Sequence, residues 1–164
     1  KAMHNLSTWL RLHAQQRLNF TSIHMHDMPI DIDEIRKDEG AAVKQFLLDN
    51  GYIIDPDNYK YVCLVRGLGG FAGAFPHLGL AILGDICIES LLDNYPNAGN
   101  VLLPNWPQHY WTPNGQTGAI GHELLHLFGL THDDKSTIMQ SPDIFPHVTL
   151  VNKDIEKMKG WLLN

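Results

Sequence analysis

The sequence predicts one domain of mixed helix and strand structure, an α/β chain of the α+β kind. Three observations predict it. Apolar residues recur at helical spacing in a segment of each half of the chain, and short runs rich in strand formers lie between these segments. The 164 residues are 44% apolar and 18% charged, which suits one domain with its own core, so residues 1–164 are treated as a single domain.

The first fifty residues contain the clearest helix of the first half. Ser7–His13 can begin a short helix capped by Ser7 or form a strand, and Leu18–His26 alternates like a strand. Asp31–Asn50 is predicted as one helix, with a capping-box pattern at its start and Gly51 at its end. Its apolar residues form one stripe, made of Ile35, Ala42, Val43, Phe46 and Leu47.

The middle of the chain predicts strands and loops. Tyr59–Val65 is rich in strand formers, and Gly79–Leu83 is a short apolar strand candidate. Gly67–Phe75 is predicted as a glycine-rich loop without the spacing of a phosphate-binding loop. Asn94–Gly115, which contains four prolines, is predicted to be mostly irregular.

Two helices are predicted in the remaining residues. From Gln116 onward apolar residues recur at helical spacing, and near the end Asn152 can cap a last helix through Met158. Asp154 is favourably placed in the first turn of that last helix.

Composition limits the classes of partner. The net charge of −6 does not indicate a nucleic-acid-binding protein, which typically carries a basic surface. No apolar stretch reaches the ~18 residues of a membrane span. The only two cysteines, Cys63 and Cys87, can form one disulfide or remain two buried thiols.

The helix predicted from Gln116 onward carries a metal-binding pattern. His122 and His126 are four residues apart, so both imidazoles lie on one helix face and can reach a single zinc ion. Gly129 can end the helix in the left-handed conformation, and the chain then turns back to deliver His132 as a third ligand. Three protein ligands leave one position of the zinc open to water, as a catalytic site requires. Glu123 is placed to accept a proton from that water.

The alternative is a leucine-rich core helix that carries these polar residues by accident. The frequencies of these residue types put an accidental five-residue match on the order of 10⁻⁴ at any one position, which is on the order of 10⁻² over the whole chain. Two unpartnered histidines and a glutamate in a core would also carry a large burial cost. The metal site is therefore the favoured interpretation.

The run from His122 to His132 resembles the extended zinc signature of the metzincin clan of metallopeptidases. Met139 in Ser136–Gln140 matches the Met-turn methionine of that clan, which packs beneath the metal-binding histidines. The resemblance is specific over Gln116–Trp161. Asp133, directly after the third histidine, is similar to the adamalysin pattern, and the last helix is similar to that of matrixins.

The resemblance implies a zincin-like domain with a twisted mixed sheet and a backing helix, an active-site helix and a C-terminal helix. It implies an upper subdomain of about residues 1–129 and a lower one of about 130–164. One catalytic zinc would serve a secreted, monomeric endopeptidase that cuts extended protein or peptide substrates. A narrow-specificity peptidase and a catalytically silent zinc-containing binding module remain alternatives.

Substrate contacts are also expected from the resemblance. An edge strand of the sheet would pair with the substrate, and the candidates for it are Gly79, Leu80, Ala81 and Ile82, for which an interior strand is the alternative. The segment after Met139 would wall the pocket for the residue beyond the cut bond, with Ile144 and Phe145 in its apolar lining.

The remaining polar clusters favour simpler interpretations. His24 and His26 have a spacing compatible with a second metal, but packing or surface roles are favoured without nearby carboxylates. His77, His109 and His147 are weaker candidates for contacts in the cleft. Calcium is not expected, because Asp55–Asn58 lacks the full spacing of a calcium loop and is predicted as a turn.

Overall fold

The computed structural model describes residues 1–14, 24, 32–38, 40–92 and 112–162. Within these ranges the chain forms six α-helices and a three-stranded mixed sheet, which confirms the α+β class. The helices are α1 (Ala2–Ala14), α2 (Ile32–Lys37), α3 (Ala41–Asp49), α4 (Asp85–Leu91), α5 (Pro113–Leu127) and α6 (Asn152–Leu162). The strands are β1 (Tyr61–Leu64), β2 (Ala72–Phe75) and β3 (Leu80–Leu83), and short 3₁₀ helices span Pro76–Leu78, Thr137–Met139 and Pro142–Ile144.

The sheet has the order β1-β3-β2, with β3 parallel to β1 and antiparallel to β2. The prediction that Gly79–Leu83 supplies an edge strand is therefore wrong, because both sides of β3 already pair with a neighbour. Its unbroken apolar sequence is typical of a strand covered on both faces, and all four residues of β3 are buried. The predicted loop Gly67–Phe75 is also partly wrong, since its last four residues form β2.

The long helix predicted for Asp31–Asn50 is two helices. Gly40 between them has φ 83°, a left-handed conformation that interrupts the helix. The Asp38 carboxylate then accepts hydrogen bonds from the backbone N–H groups of Gly40 and Ala42, so it caps the first turn of α3. Gly51 ends α3 as predicted, with φ 82° and the paired backbone bonds of a Schellman motif.

Other helix boundaries differ from those predicted. Helix α1 begins at Ala2, so Ser7 lies inside it and is not its cap. Helix α5 begins at Pro113, three residues before the predicted start, because the Thr112 hydroxyl accepts from the N–H of Gly115 as an N-cap. Helix α4 was not predicted. The strand predicted for Leu18–His26 lies outside the described residues except for His24.

Strand β3 separates two hydrophobic clusters. Its Ala81 and Leu83 face a cluster that we call the site-side core, built by α1, α5 and the segment 138–158. Its Leu80 and Ile82 face a back core shared with α2 and α3. Full burial of one such leucine or isoleucine contributes about 1.5–3 kcal/mol. Alternate residues of β3 thus pack the sheet against α5 on one face and against α2 and α3 on the other.

Helix α5 lies at the centre of the site-side core and is approached closely on two sides. A Cβ at Gly118 would overlap the carbonyl oxygen of Pro142, and one at Gly121 would lie 2.8 Å from Leu6 of α1. Glycine at these positions lets α1 and the 3₁₀ helix Pro142–Ile144 pack directly on the helix backbone. Among the described residues, no helix is both long and apolar enough to cross a membrane.

Candidate metal centre

Three histidines meet at the C-terminal end of α5. His122 and His126 stand one turn apart on the same helix face, as their spacing predicts. The Nε2 atom of His122 lies 3.1 Å from that of His126 and 3.1 Å from that of His132. The third distance, between the Nε2 atoms of His126 and His132, is 3.3 Å. The three residues predicted as metal ligands are therefore brought together.

The end of α5 brings His132 back toward the helix. Gly129 adopts φ 86°, the left-handed conformation expected of it. The N–H of Leu130 donates to the carbonyl of Leu125 at 3.1 Å, and the N–H of Gly129 donates to that of His126 at 3.0 Å. These two bonds form a Schellman motif that reverses the chain sharply after the second histidine.

Backbone carbonyls hold the two helical imidazoles. Nδ1 of His122 donates to the carbonyl of Ile138 at 3.0 Å, and Nδ1 of His126 donates to that of Leu130 at 2.8 Å. Because a carbonyl oxygen can only accept, each ring carries its proton on Nδ1 when neutral and leaves a lone pair on Nε2. This is the arrangement by which outer partners orient metal-binding histidines.

The geometry fits a metal ion. Ligand bonds of ~2.0–2.1 Å at tetrahedral angles place nitrogen atoms roughly 3.3–3.4 Å apart, close to the three observed separations. Without a cation, the Nε2 lone pairs of His122 and His126 would face each other unfavourably at 3.1 Å. A cation at their common focus converts that repulsion into ligand bonds. The cluster of His122, His126 and His132 can thus hold a metal ion.

The surroundings of the two helical histidines favour their neutral form, which can bind a cation. Burial lowers the pKa of His122 to about 4, and the neighbouring His126 and His132 act in the same direction, although the Ile138 carbonyl opposes it. Burial also lowers the pKa of His126. Both rings are therefore neutral at pH 7, the form that binds metals.

Glu123 follows the first histidine and is 9% exposed. Burial raises the pKa of its carboxyl to about 7. In the part of the chain that the structure describes, no hydrogen bond or ion pair to this carboxylate is found. A buried carboxyl poised near neutral pH beside a metal-binding cluster is suited to accept and release protons.

Met139 lies in the 3₁₀ helix Thr137–Met139 and is buried in the site-side core. Its neighbour Ile138 supplies the carbonyl that orients His122. The buried carboxylate of Asp154 holds this segment, accepting from the N–H of Ser136 at 2.8 Å and from its hydroxyl at 2.5 Å. Sequence reasoning placed Asp154 only in the first turn of the last helix and missed this contact, which no local pattern indicates.

The structure does not bring the residues predicted to contact substrate together as it does the three histidines. Leu80, Ala81 and Ile82 belong to β3, the central strand of the sheet, and Gly79 directly precedes it, so they cannot form a substrate-pairing edge. Phe145 is 5% exposed, with its ring 5.8 Å from that of Trp9. Ile144, at 43% exposed, is the predicted pocket residue that lies on the surface.

The weaker histidine candidates stand apart from this cluster. The ring of His24 packs edge-on against Tyr52, with centroids 5.5 Å apart, while His26 and His109 lie outside the described residues. His77 and His147 are exposed. None of the three described ones belongs to the group of residues that can hold a metal ion.

Two further predictions are settled by the structure. The side chain of Asp55 accepts from the N–H of Asp57 at 3.0 Å and from the amide of Asn58 at 2.7 Å, which confirms a turn there. Cys63 and Cys87 are both free, the simpler of the two alternatives. Burial raises the pKa of each thiol to about 12, so neither is activated as a nucleophile.

Comparison of the chain with protein-family models, with curated proteins and with solved structures finds no match in any of the three.

Proposed function

We propose that this chain is a zinc-dependent endopeptidase domain of the metzincin type. One observation carries the proposal: three histidine Nε2 atoms converge within 3.3 Å of one another, next in sequence to the buried carboxyl of Glu123. A structural metal site needs no such carboxyl, and a proton-transfer site does. The Met-turn-like position of Met139 after the cluster supports the same assignment.

The three histidines and Glu123 would have different roles in peptide hydrolysis. His122, His126 and His132 would hold the zinc ion, whose chemistry is to polarise the peptide carbonyl and to lower the pKa of a water molecule toward ~7. Glu123 takes the proton from the attacking water and delivers it to the leaving amine. Burial raises the pKa of this carboxyl and so favours the uptake of a proton.

The sheet offers a place for an extended substrate. Within the described residues, β2 pairs only with β3, and β2 packs against α5. We therefore assign the role of substrate-pairing edge to Ala72–Phe75 in place of the β3 residues first expected. An extended peptide that adds to this edge antiparallel or parallel gains backbone hydrogen bonds regardless of its sequence.

The test combines metal content with hydrolysis. The purified chain is expected to bind about one zinc ion and to cleave a general unfolded protein, with cleavage abolished by a chelator and restored by zinc. Glu123→Gln is expected to lower the hydrolysis rate by about 10²–10⁴-fold, while zinc binding persists. Glu156→Gln removes an exposed glutamate on α6 and serves as the matched control with unchanged rate.

The outcomes separate the alternatives. One zinc with no cleavage of any unfolded substrate would favour the silent binding module. One zinc with cleavage of only short peptides would favour the narrow-specificity peptidase. Turnover that survives Glu123→Gln would contradict the assigned role of Glu123.

A further inference from the structure

The third histidine is held differently from the other two. The rings of His122 and His126 are each fixed by a backbone carbonyl on Nδ1. Within the described ranges, no such partner is found at Nδ1 of the exposed His132 ring, whose Nε2 atom faces those of the other two histidines. Apart from ring contacts with His122 and His126, its position therefore depends on the backbone of the turn that carries it.

That turn, Thr131–Asp134, is closed by hydrogen bonds that Asp134 makes with Thr131 through both its backbone and its side chain. The N–H of Asp134 donates to the carbonyl of Thr131 at 3.0 Å. In return the Asp134 carboxylate accepts from the N–H of Thr131 at 2.7 Å and from its hydroxyl at 3.3 Å. His132 thus lies inside a small ring of hydrogen bonds centred on one carboxylate.

The same carboxylate is tied to the C-terminal helix. Nζ of Lys157, on α6, lies 2.7 Å from one oxygen of Asp134 and 2.8 Å from the other. Asp134 is 8% exposed, so this ion pair is partly shielded from solvent. The backbone carbonyl of Asp134 also accepts from the Gln140 side chain at 3.3 Å, directly after the Met139 segment.

We propose that Asp134 and Lys157 are positioning residues for the metal centre, which hold the His132 turn in the conformation that completes the three-histidine site. The inference rests on the proposed function, in which these three histidines bind zinc. Neither residue belongs to the three-histidine group that can hold a metal ion. Both act through the turn, and α6 thereby contributes to metal affinity from 23 residues beyond the anchoring carboxylate.

A purely structural brace would behave differently. It would lower the stability of the metal-free fold and leave metal affinity unchanged wherever the fold persists. A positioning role lowers affinity for the metal in a chain that is still folded, because part of the binding free energy must then order the turn. Metal affinity and the stability of the metal-free protein must therefore be measured on the same variants.

The experiment measures Zn²⁺ affinity by competition with a chromophoric chelator, and thermal unfolding of the metal-free chain. Asp134→Ala is expected to weaken Zn²⁺ binding about 10–100-fold, the usual effect of losing an outer partner of a metal ligand. Asp134→Asn keeps an acceptor for the Thr131 N–H and should lose less. Lys157→Met should also lose less, and Lys153→Met, on the same helix and exposed, should change nothing.

A double variant makes the test specific. If Lys157 acts through Asp134, Asp134→Ala with Lys157→Met should bind Zn²⁺ no more weakly than Asp134→Ala alone. Wild-type affinity in folded Asp134→Ala and Lys157→Met would overturn the inference and leave the proposed function intact. A wild-type chain that binds no Zn²⁺ would overturn the proposed function and the inference together.

Discussion

The candidate metal centre has two halves that are built in different ways. His122, Glu123 and His126 stand on one helix, and the two imidazoles are oriented by carbonyls at their Nδ1 atoms. His132 stands in a turn beyond the helix end, held by a carboxylate that is itself anchored on α6. The helical half follows from local spacing. The turn half also depends on Lys157, which is distant in sequence, so perturbations of α6 should affect it first.

The largest expected effect comes from breaking the packing that joins α5 to the segment beyond the turn. In Gly118→Ala the new Cβ would overlap the Pro142 carbonyl and lie 2.8 Å from Cβ of Phe145, and the backbone cannot move aside cheaply. We expect a loss of about 3 kcal/mol or more in the free energy of unfolding, measured by denaturant titration.

Gly121→Ala is the matched control on the same helix. Its Cβ would meet the ends of the Leu6 and Ile138 side chains at 2.8 and 3.1 Å, and these can shift. The loss should be clearly smaller than at Gly118. Equal losses would mean that the contact with Pro142–Ile144 is no tighter in solution than the contact with α1.

A second prediction concerns Gly129, the joint between the two halves. Its φ of 86° costs an alanine about 1–2 kcal/mol, so Gly129→Ala should lower the free energy of unfolding by that amount. The strain falls between His126 and His132, so Zn²⁺ affinity should fall as well, measured by the same chelator competition.

Gly51 provides the control for that strain. It ends α3 with φ 82° in the same Schellman geometry, and a Cβ there would meet nothing within 4 Å. Gly51→Ala should therefore cost about the same 1–2 kcal/mol in stability without changing Zn²⁺ affinity. A similar loss of affinity in both variants would mean that general destabilisation, and not the joint, controls the metal site.

The same division explains what could be predicted from the sequence. The ligand histidines, Gly129 and the helix that carries Glu123 follow from spacings within eleven residues of chain, which helix geometry converts directly into positions. Asp134 and Lys157 carry no pattern of their own. Their pairing depends on how α6 returns to the turn, which is a property of the tertiary fold.

The sheet shows the same limit. The apolar run Leu80–Leu83 indicates a strand, but its place between β1 and β2 depends on pairing with residues that no local periodicity identifies. Strand β2 was missed because Ala72–Phe75 is short and contains a glycine, features typical of a loop. The break at Gly40 was missed because the apolar stripe continues through it, although a glycine there already allowed a left-handed residue.

The smallest expected effect concerns α1, which braces the segment after the metal ligands. Nε1 of Trp9 donates to the buried carbonyl of Val148 at 3.2 Å, and the indole packs against Phe145. Trp9→Phe keeps an aromatic ring and removes the donor, so it should cost about 1 kcal/mol of unfolding free energy by denaturant titration. Zn²⁺ affinity should stay at the wild-type value, because this brace supports the segment beyond Met139 and not the His132 turn. A fall in Zn²⁺ affinity in this variant would mean that α1, and not only α6, supports the turn that carries His132. The helical half and the turn half would then be less independent than their hydrogen bonds indicate.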